Sequence, residues 1–373
     1  MRTQGRGLAL VLFGLVLASA CGPFGSGAGT PTPHAASSSR TSSSATPPST
    51  APSANPSPVA VSSPLGVLVS PLSGPNYTVS LVGIDGRVVA SAPATAPAAV
   101  SCANAAAAAA PMPISTSNSR VYFMDAQGVV RFLASNGDAG RATTVPIGPT
   151  RRSSFAVSPD DQRIAVVVID FNANGATTKL YVEDLNGGGH HLDTFTDSGA
   201  YTLWATGWHG TNNLVVAKVP ACAQGVGPLC CGSLEFHVVD PGTAVRRFTV
   251  GGPSCVIAGP PTAAGAVCET TTQATVLTWT GATVGSYEIA GQTPAYLSPD
   301  GQRVAIVSTS DPTTSLFPNK ATIAIVACGW IDSTHLFSGG DTQRQPRVAD
   351  ITTGKIVPIP AQGDCAGRIP GGL

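Results

Sequence analysis

Charge is scarce in this sequence. Only 11% of its 373 residues are charged, and Lys+Arg equals Asp+Glu at 20 each. A balance near zero leaves no basic stripe for nucleic acid and no handle for anionic lipid headgroups. No block of like charges interrupts the chain. Aromatic residues make up only 6%. Beyond Leu65 no segment carries a helical period; the alanine run Ala105 to Ala110 is too short to be a stable helix alone. G-x-S-x-G, Walker A, G-x-G-x-x-G and H-E-x-x-H are all missing, and no two cysteines stand as C-x-x-C. What is plentiful is glycine (42) and proline (32). Punctuation at that density, between short Val/Ile/Ala runs, belongs to an all-β chain of many turns.

The first residues read as a targeting segment. Arg2 and Arg6 precede an apolar stretch, Leu8 to Leu17, that falls short of the roughly 20 residues of a spanning helix. Leu17-Ala18-Ser19-Ala20-Cys21 then resembles a bacterial lipobox, with cleavage after residue 20 and a lipid on Cys21. Ala18-Ser19-Ala20 also fits an A-x-A site for ordinary secretion. Cysteine arithmetic favours the lipobox. Of nine cysteines, lipidation of Cys21 leaves an even set: Cys102, Cys222, Cys230, Cys231, Cys255, Cys268, Cys328 and Cys365. In an oxidising compartment all eight can pair, Cys255 with Cys268 across neighbouring strands and Cys328 with Cys365 at the C-terminal end among the combinations. Residues 21–64 are rich in Pro, Ser, Thr and Ala, with Arg40 the only charge after Cys21. Such a segment buries too little to offset its ordering entropy and reads as a disordered tether.

Two stretches 140 positions apart are nearly the same: Val157 to Val168 (VSPDDQRIAVVV) and Leu297 to Ser308 (LSPDGQRVAIVS). Ser158-Pro159-Asp160 and Ser298-Pro299-Asp300-Gly301 are β-turn recipes. Pro presets φ at the second position, Asp tolerates the third, and Gly301 supplies a positive φ at the fourth. Asp161 stands where Gly301 does, at a modest conformational cost. Each turn feeds a strand that is apolar on both faces, so both faces are covered by other sheets. A second phrase is doubled as well: Gly207-Trp208, a polar turn and a strand, then Gly329-Trp330, a polar turn and a strand. Weaker versions occur at Ser117 to Met124 and Pro260 to Cys268. Units recur every 30 to 50 residues or so, the period of propeller blades.

Ser158-Pro159-Asp160-Asp161-Gln162-Arg163-Ile164-Ala165, followed by Lys179-Leu180-Tyr181-Val182-Glu183-Asp184-Leu185-Asn186-Gly187-Gly188, resembles the WD40-like repeat of the TolB family. Related repeats form the propeller domains of prolyl oligopeptidase-like enzymes. The resemblance implies a β-propeller of six or seven blades over residues 65–365, with residues 366–373 as a C-terminal tail. Units begin near Leu65, Pro113, Ser154, Leu203, Pro253, Pro294 and Gly329. The Leu297 blade looks short of an outer strand. A closed ring protects its strand edges and suits a monomer.

Candidate chemistry is thin. Asp170-Phe171-Asn172-Ala173-Asn174-Gly175 opens like a calcium loop, with oxygen ligands at Asp170, Asn172 and Asn174. The twelfth position is Tyr181, where the loop needs a bidentate Glu, and Asn174-Gly175 alone makes a hairpin turn. His190-His191-Leu192-Asp193 puts adjacent side chains on opposite faces of a strand, a poor metal clamp. His209 and His335 sit in turns beside Trp208 and Trp330. Asn76-Tyr77-Thr78 fits a glycosylation acceptor and is read as chance. No cofactor follows. The expectation is a cell-envelope lipoprotein, membrane-bound through Cys21, whose ring-face loops bind a protein or envelope component. An exported enzyme on carbohydrate or peptide is the alternative and needs converging acidic and His side chains. A plain spacer module needs no ligand at all.

Overall fold

A computed structural model describes residues 58–59, 61–70, 74–101, 108, 110–172, 175–186, 192–222 and 233–373. The targeting segment, Cys21, nearly all of the tether, Cys102, Asn174, His190, His191, Cys230 and Cys231 lie outside the described residues. Every regular element among the described residues is a strand, and the strands form seven four-stranded antiparallel sheets. This is a seven-bladed β-propeller. No helix among the described residues is long and apolar enough to cross a membrane.

The blades follow the chain. β1 (Leu65–Val69), β2 (Asn76–Gly83) and β3 (Val88–Thr95) are three strands of blade 1. Blade 2 is β4 (Ile114–Thr116), β5 (Arg120–Met124), β6 (Val129–Ala134) and β7 (Ala139–Thr144). Blade 3 is β8 (Arg151–Val157), β9 (Arg163–Asn172), β10 (Gly175–Asp184) and β11 (Leu192–Gly199). Blade 4 is β12 (Tyr201–His209), β13 (Asn213–Pro220), β14 (Glu235–Val239) and β15 (Arg246–Gly251). Blade 5 is β16 (Val256–Ile257), β17 (Ala266–Glu269), β18 (Gln273–Leu277) and β19 (Thr283–Glu288). Blade 6 is β20 (Ala295–Leu297), β21 (Val304–Val307), β22 (Thr314–Phe317) and β23 (Ala321–Ile323). Blade 7 is β24 (Gly329–Trp330), β25 (His335–Ser338), β26 (Arg347–Asp350) and β27 (Ile356–Pro358). Blade 6 is not short of its outer strand: the three-residue β23 supplies it.

The last strand, β28 (Asp364–Ile369), returns to blade 1 as its innermost strand, in the order β28-β1-β2-β3. The expected boundary at 365 is therefore corrected: the ring runs through Ile369, and residues 366–369 are strand. They read as a tail because DCAGRI has no apolar run. Its pairing comes from backbone hydrogen bonds to β1, from Leu65↔Ile369 to Val69↔Asp364, and such bonds leave no mark on side-chain pattern.

The core is a ring of sandwiches between neighbouring blades. One apolar cluster joins Val69, Tyr77 and Leu81 of blade 1 to Val121, Phe123 and Leu133 of blade 2. Another closes the circle with Leu68 and Val82 against Ile331, Phe337 and Val348 of blade 7. Strands such as β21, buried at all four positions, are covered on both faces, as their unbroken apolar sequence requires.

The two doubled phrases are the halves of one joint between blades. In the first copy, Ser158 Oγ donates to Asp160 Oδ1 (2.6 Å) and accepts from the Arg163 N–H (2.9 Å), which closes the turn. Ser298, Asp300 and Arg303 repeat those bonds at 2.6 and 2.9 Å. Two residues before each serine lies a carbonyl that takes the indole N–H of the next blade: Trp208 Nε1 to Ala156 O and Trp330 Nε1 to Tyr296 O, both 2.9 Å. Each arginine then reaches the turn after that tryptophan. Arg163 donates to Thr211 O and lies 4.8 Å from the centre of the Trp208 ring, and Arg303 donates to Ser333 O. Both tryptophans are buried between blades.

Two disulfides add to this. Cys255–Cys268 links neighbouring strands within blade 5, with Cα atoms 5.1 Å apart. Cys328–Cys365 links the entrance of blade 7 to β28 of blade 1, with Cα atoms 5.6 Å apart, and so fastens the seam where the ring closes. Cys222 is disulfide-bonded as well. Disulfides of this kind persist in oxidising compartments and mark an extracytoplasmic protein.

Candidate functional site

The antiparallel order puts connections on two faces. The Ser-Pro-Asp turns and the turns after each Gly-Trp lie on one, here the turn face. The connections from one blade to the next lie on the other, the loop face. In the axis of the ring, opening toward the loop face, is a well of about 660 Å³. Its walls come from the innermost strands β20, β24 and β28, with Tyr296, Trp330 and Phe337 and with Met112, Val326 and Leu373 adding apolar surface. Pro260 and Pro261 complete the wall from blade 5.

Glycine makes the seam beside the well close-packed. Gly340 and Gly363 form a backbone bridge between the loop after β25 and the loop before β28. A Cβ on Gly340 would stand 1.8 Å from Arg344 O, and one on Gly363 would stand 2.2 Å from Val69 O, at a φ of +139°. Only glycine fits either position. Cys328 Sγ accepts from the Gly339 N–H at 2.8 Å, so the disulfide is part of the same wall.

The rim is polar. Asp341, Arg344 and Asp364 are the ionisable side chains lining the well among the described residues. Asp341 Oδ1 accepts the N–H groups of Gln343 (2.8 Å) and Arg344 (2.9 Å), which shapes the loop. Those donors, Arg344's first, hold its carboxyl below the ordinary carboxylate range, so it stays charged at neutral pH and makes a poor proton acceptor. No histidine lines the well among the described residues.

The other residues singled out from sequence are dispersed. Asp170 pairs through both oxygens with Arg151, at 2.8 and 2.9 Å, and Asn172 faces Gly175 at the tip of the β9–β10 hairpin. His209 Nδ1 lies 2.6 Å from Leu373 O. His335 Nδ1 lies 2.9 Å from each oxygen of Asp332. No group of three or more His, Cys, Asp or Glu side chains converges as a metal set among the described residues.

Two buried carboxylates had no signal in the sequence. Asp161 has a φ of +60°, and its carboxylate accepts from Ser119 Oγ (2.6 Å) and Tyr122 OH (2.7 Å) of blade 2. Glu269, 3% exposed, ends β17. Its Oε2 accepts from the Thr293 N–H at 2.9 Å, while Oε1 has no partner. Burial pushes its carboxyl up to about 7.

The fold and the well define the chain as a propeller with a ligand-sized axial opening. No family model and no curated protein sequence matches it. Among solved structures it is similar to dihydro-heme d1 dehydrogenase NirN in complex with DHE, at 14% identity over 85% of this chain and 79% of that one, with a TM-score of 0.49. Apo AztD from Citrobacter koseri aligns at 10% identity over 83% of this chain and 98% of that one, with a TM-score of 0.43. An acylaminoacyl peptidase aligns at 12% identity over 78% of this chain and 49% of its own, with a TM-score of 0.45.

Proposed function

We propose that this is a cell-envelope lipoprotein, held to the membrane through Cys21, whose TolB-like propeller serves as a receptor or scaffold for an envelope protein or component. The observation that carries this reading is the axial well. It is concave, apolar in its walls and polar only at its rim, the composition of a binding site. Its loop-face rim is built from connections held in place by rigid sheets, where binding residues concentrate. Its charged groups are three in number among the described residues, and Asp341 is committed to its own loop. The partner inserts an apolar projection between Met112, Val326 and Phe337, while Arg344 and Asp364 meet its polar surround.

The test is cross-linking and affinity purification of the full chain from its own cells, with Cys21→Ser as the unanchored control. Met112→Asp and Arg344→Glu alter the well without touching the joints between blades. The expected result is one stoichiometric envelope partner, captured by the anchored protein and lost in the well variants, whose thermal stability is unchanged. Equal capture by wild type and well variants would falsify the site.

A further inference from the structure

A second space lies in the same axis at the turn-face end. It is a chamber of about 90 Å³, lined in part by Thr116, Thr262, Arg368 and Gly371. Tyr296, Trp330 and Leu373 line both it and the well, so they form the constriction between the two. The segment after β28 makes the chamber's outer wall. The Gly371 N–H donates to Ser117 O (2.6 Å), and the Leu373 N–H donates to Trp208 O (2.7 Å), which carries the chain from blade 1 past blade 2 to blade 4. A Cβ on Gly371 would stand 2.4 Å from Thr116 Oγ1.

Arg368 sits on β28 opposite Gly66. Among the described residues, neither its guanidinium nor the Thr116 hydroxyl makes a hydrogen bond or ion pair. The nearby charge is Asp332, which is already committed. It accepts the N–H groups of Thr334 and His335, both at 2.7 Å, and faces the His335 ring. Burial disfavours the charge on Arg368, and Asp332 offsets part of that cost from a distance. Arg368 is only part-buried, so its guanidinium keeps its charge and its N–H donors remain available to an anion in the chamber.

We propose that this chamber binds a small oxyanion, held by the Arg368 fork and the Thr116 hydroxyl. A planar fork with several N–H donors matches a phosphate or carboxylate group. The space accommodates one such group.

The full chain is melted at constant ionic strength in chloride, then with inorganic phosphate or with acetate in its place. The expected result is a saturable rise in Tm of a few degrees, lost in Arg368→Gln; the anion giving the larger rise identifies the class. Thr116→Val keeps the arginine and binds about tenfold more weakly. The proposal is overturned if wild type shows no saturable rise with either anion, or if Arg368→Met shows the same rise. Should Arg368→Gln not fold, the Thr116→Val titration decides, and unchanged affinity overturns the site.

Discussion

Asp161 and Gly301 occupy the same corner of two blades and are not interchangeable. Both have positive φ, +60° and +71°. Asp161 offsets its strain by binding Ser119 and Tyr122 across the blade boundary. At the equivalent place a Cβ on Gly301 would lie 2.7 Å from the Ala264 Cβ, with no donor offered. Asp161→Gly should therefore destabilise by about 1–3 kcal/mol although it relieves strain, since two charge-assisted bonds outweigh one relaxed φ. Gly301→Asp should destabilise too, by about 1–2 kcal/mol, through strain and overlap. Urea denaturation measures both, and a stabilised Asp161→Gly would refute the account. Glu269 gives a pH test. Its folded value of about 7 lies above the ordinary 4.5, so the fold favours the protonated form. That contribution is intact below pH 4.5 and is lost as pH rises through 7. Glu269→Gln should match wild type at pH 5 and exceed it by about 3 kcal/mol at pH 8. Equal stability at both pH values would show that the carboxyl finds a partner on ionising.

At the scale of elements, the turn, the tryptophan and the arginine form one device used twice. Trp208→Phe or Trp330→Phe should each cost about 1–2 kcal/mol, because the Ala156 or Tyr296 carbonyl is left buried without its donor. A double variant should be additive, the two joints being far apart; strong coupling would show that the ring transmits strain between them. These joints were legible in the sequence because each is made of residues close in the chain with restrictive chemistry: Ser, Pro, Asp and Trp at fixed offsets. The seven starting points followed from the same spacing. The closing strand was not legible, since DCAGRI pairs through its backbone. Nor was the well. Its walls come from positions as distant as Met112, Tyr296 and Leu373, and glycine shapes its seam by leaving side chains out. Asp161's second role was hidden because Ser119 and Tyr122 come near it only when blades stack. The Cys328–Cys365 link spans a separation of 37 residues, and replacing both by serine should cost about 4 kcal/mol on loop-closure grounds. Thermal melting with and without reductant checks this, and a reductant-insensitive wild type would show that the seam holds without it.

For the whole molecule, binding and stability are separated in space. The inter-blade joints face one side and the well opens on the other, so well variants should leave melting unchanged, and joint variants should lower it without altering partner capture below the transition. The closure of the ring joins Leu65 to Ile369, about 300 residues later, a pairing of very high contact order that forms slowly. That closure sets an order of events. A ribosome builds blades 2 to 7 complete before it reaches Asp364, yet blade 1 waits with three strands, its inner edge open. Until the last strand emerges, the chain is an open arc and not a ring. The strand that locks the ring is thus made after every blade it closes, so the blade 1 sheet is not complete until all the others are.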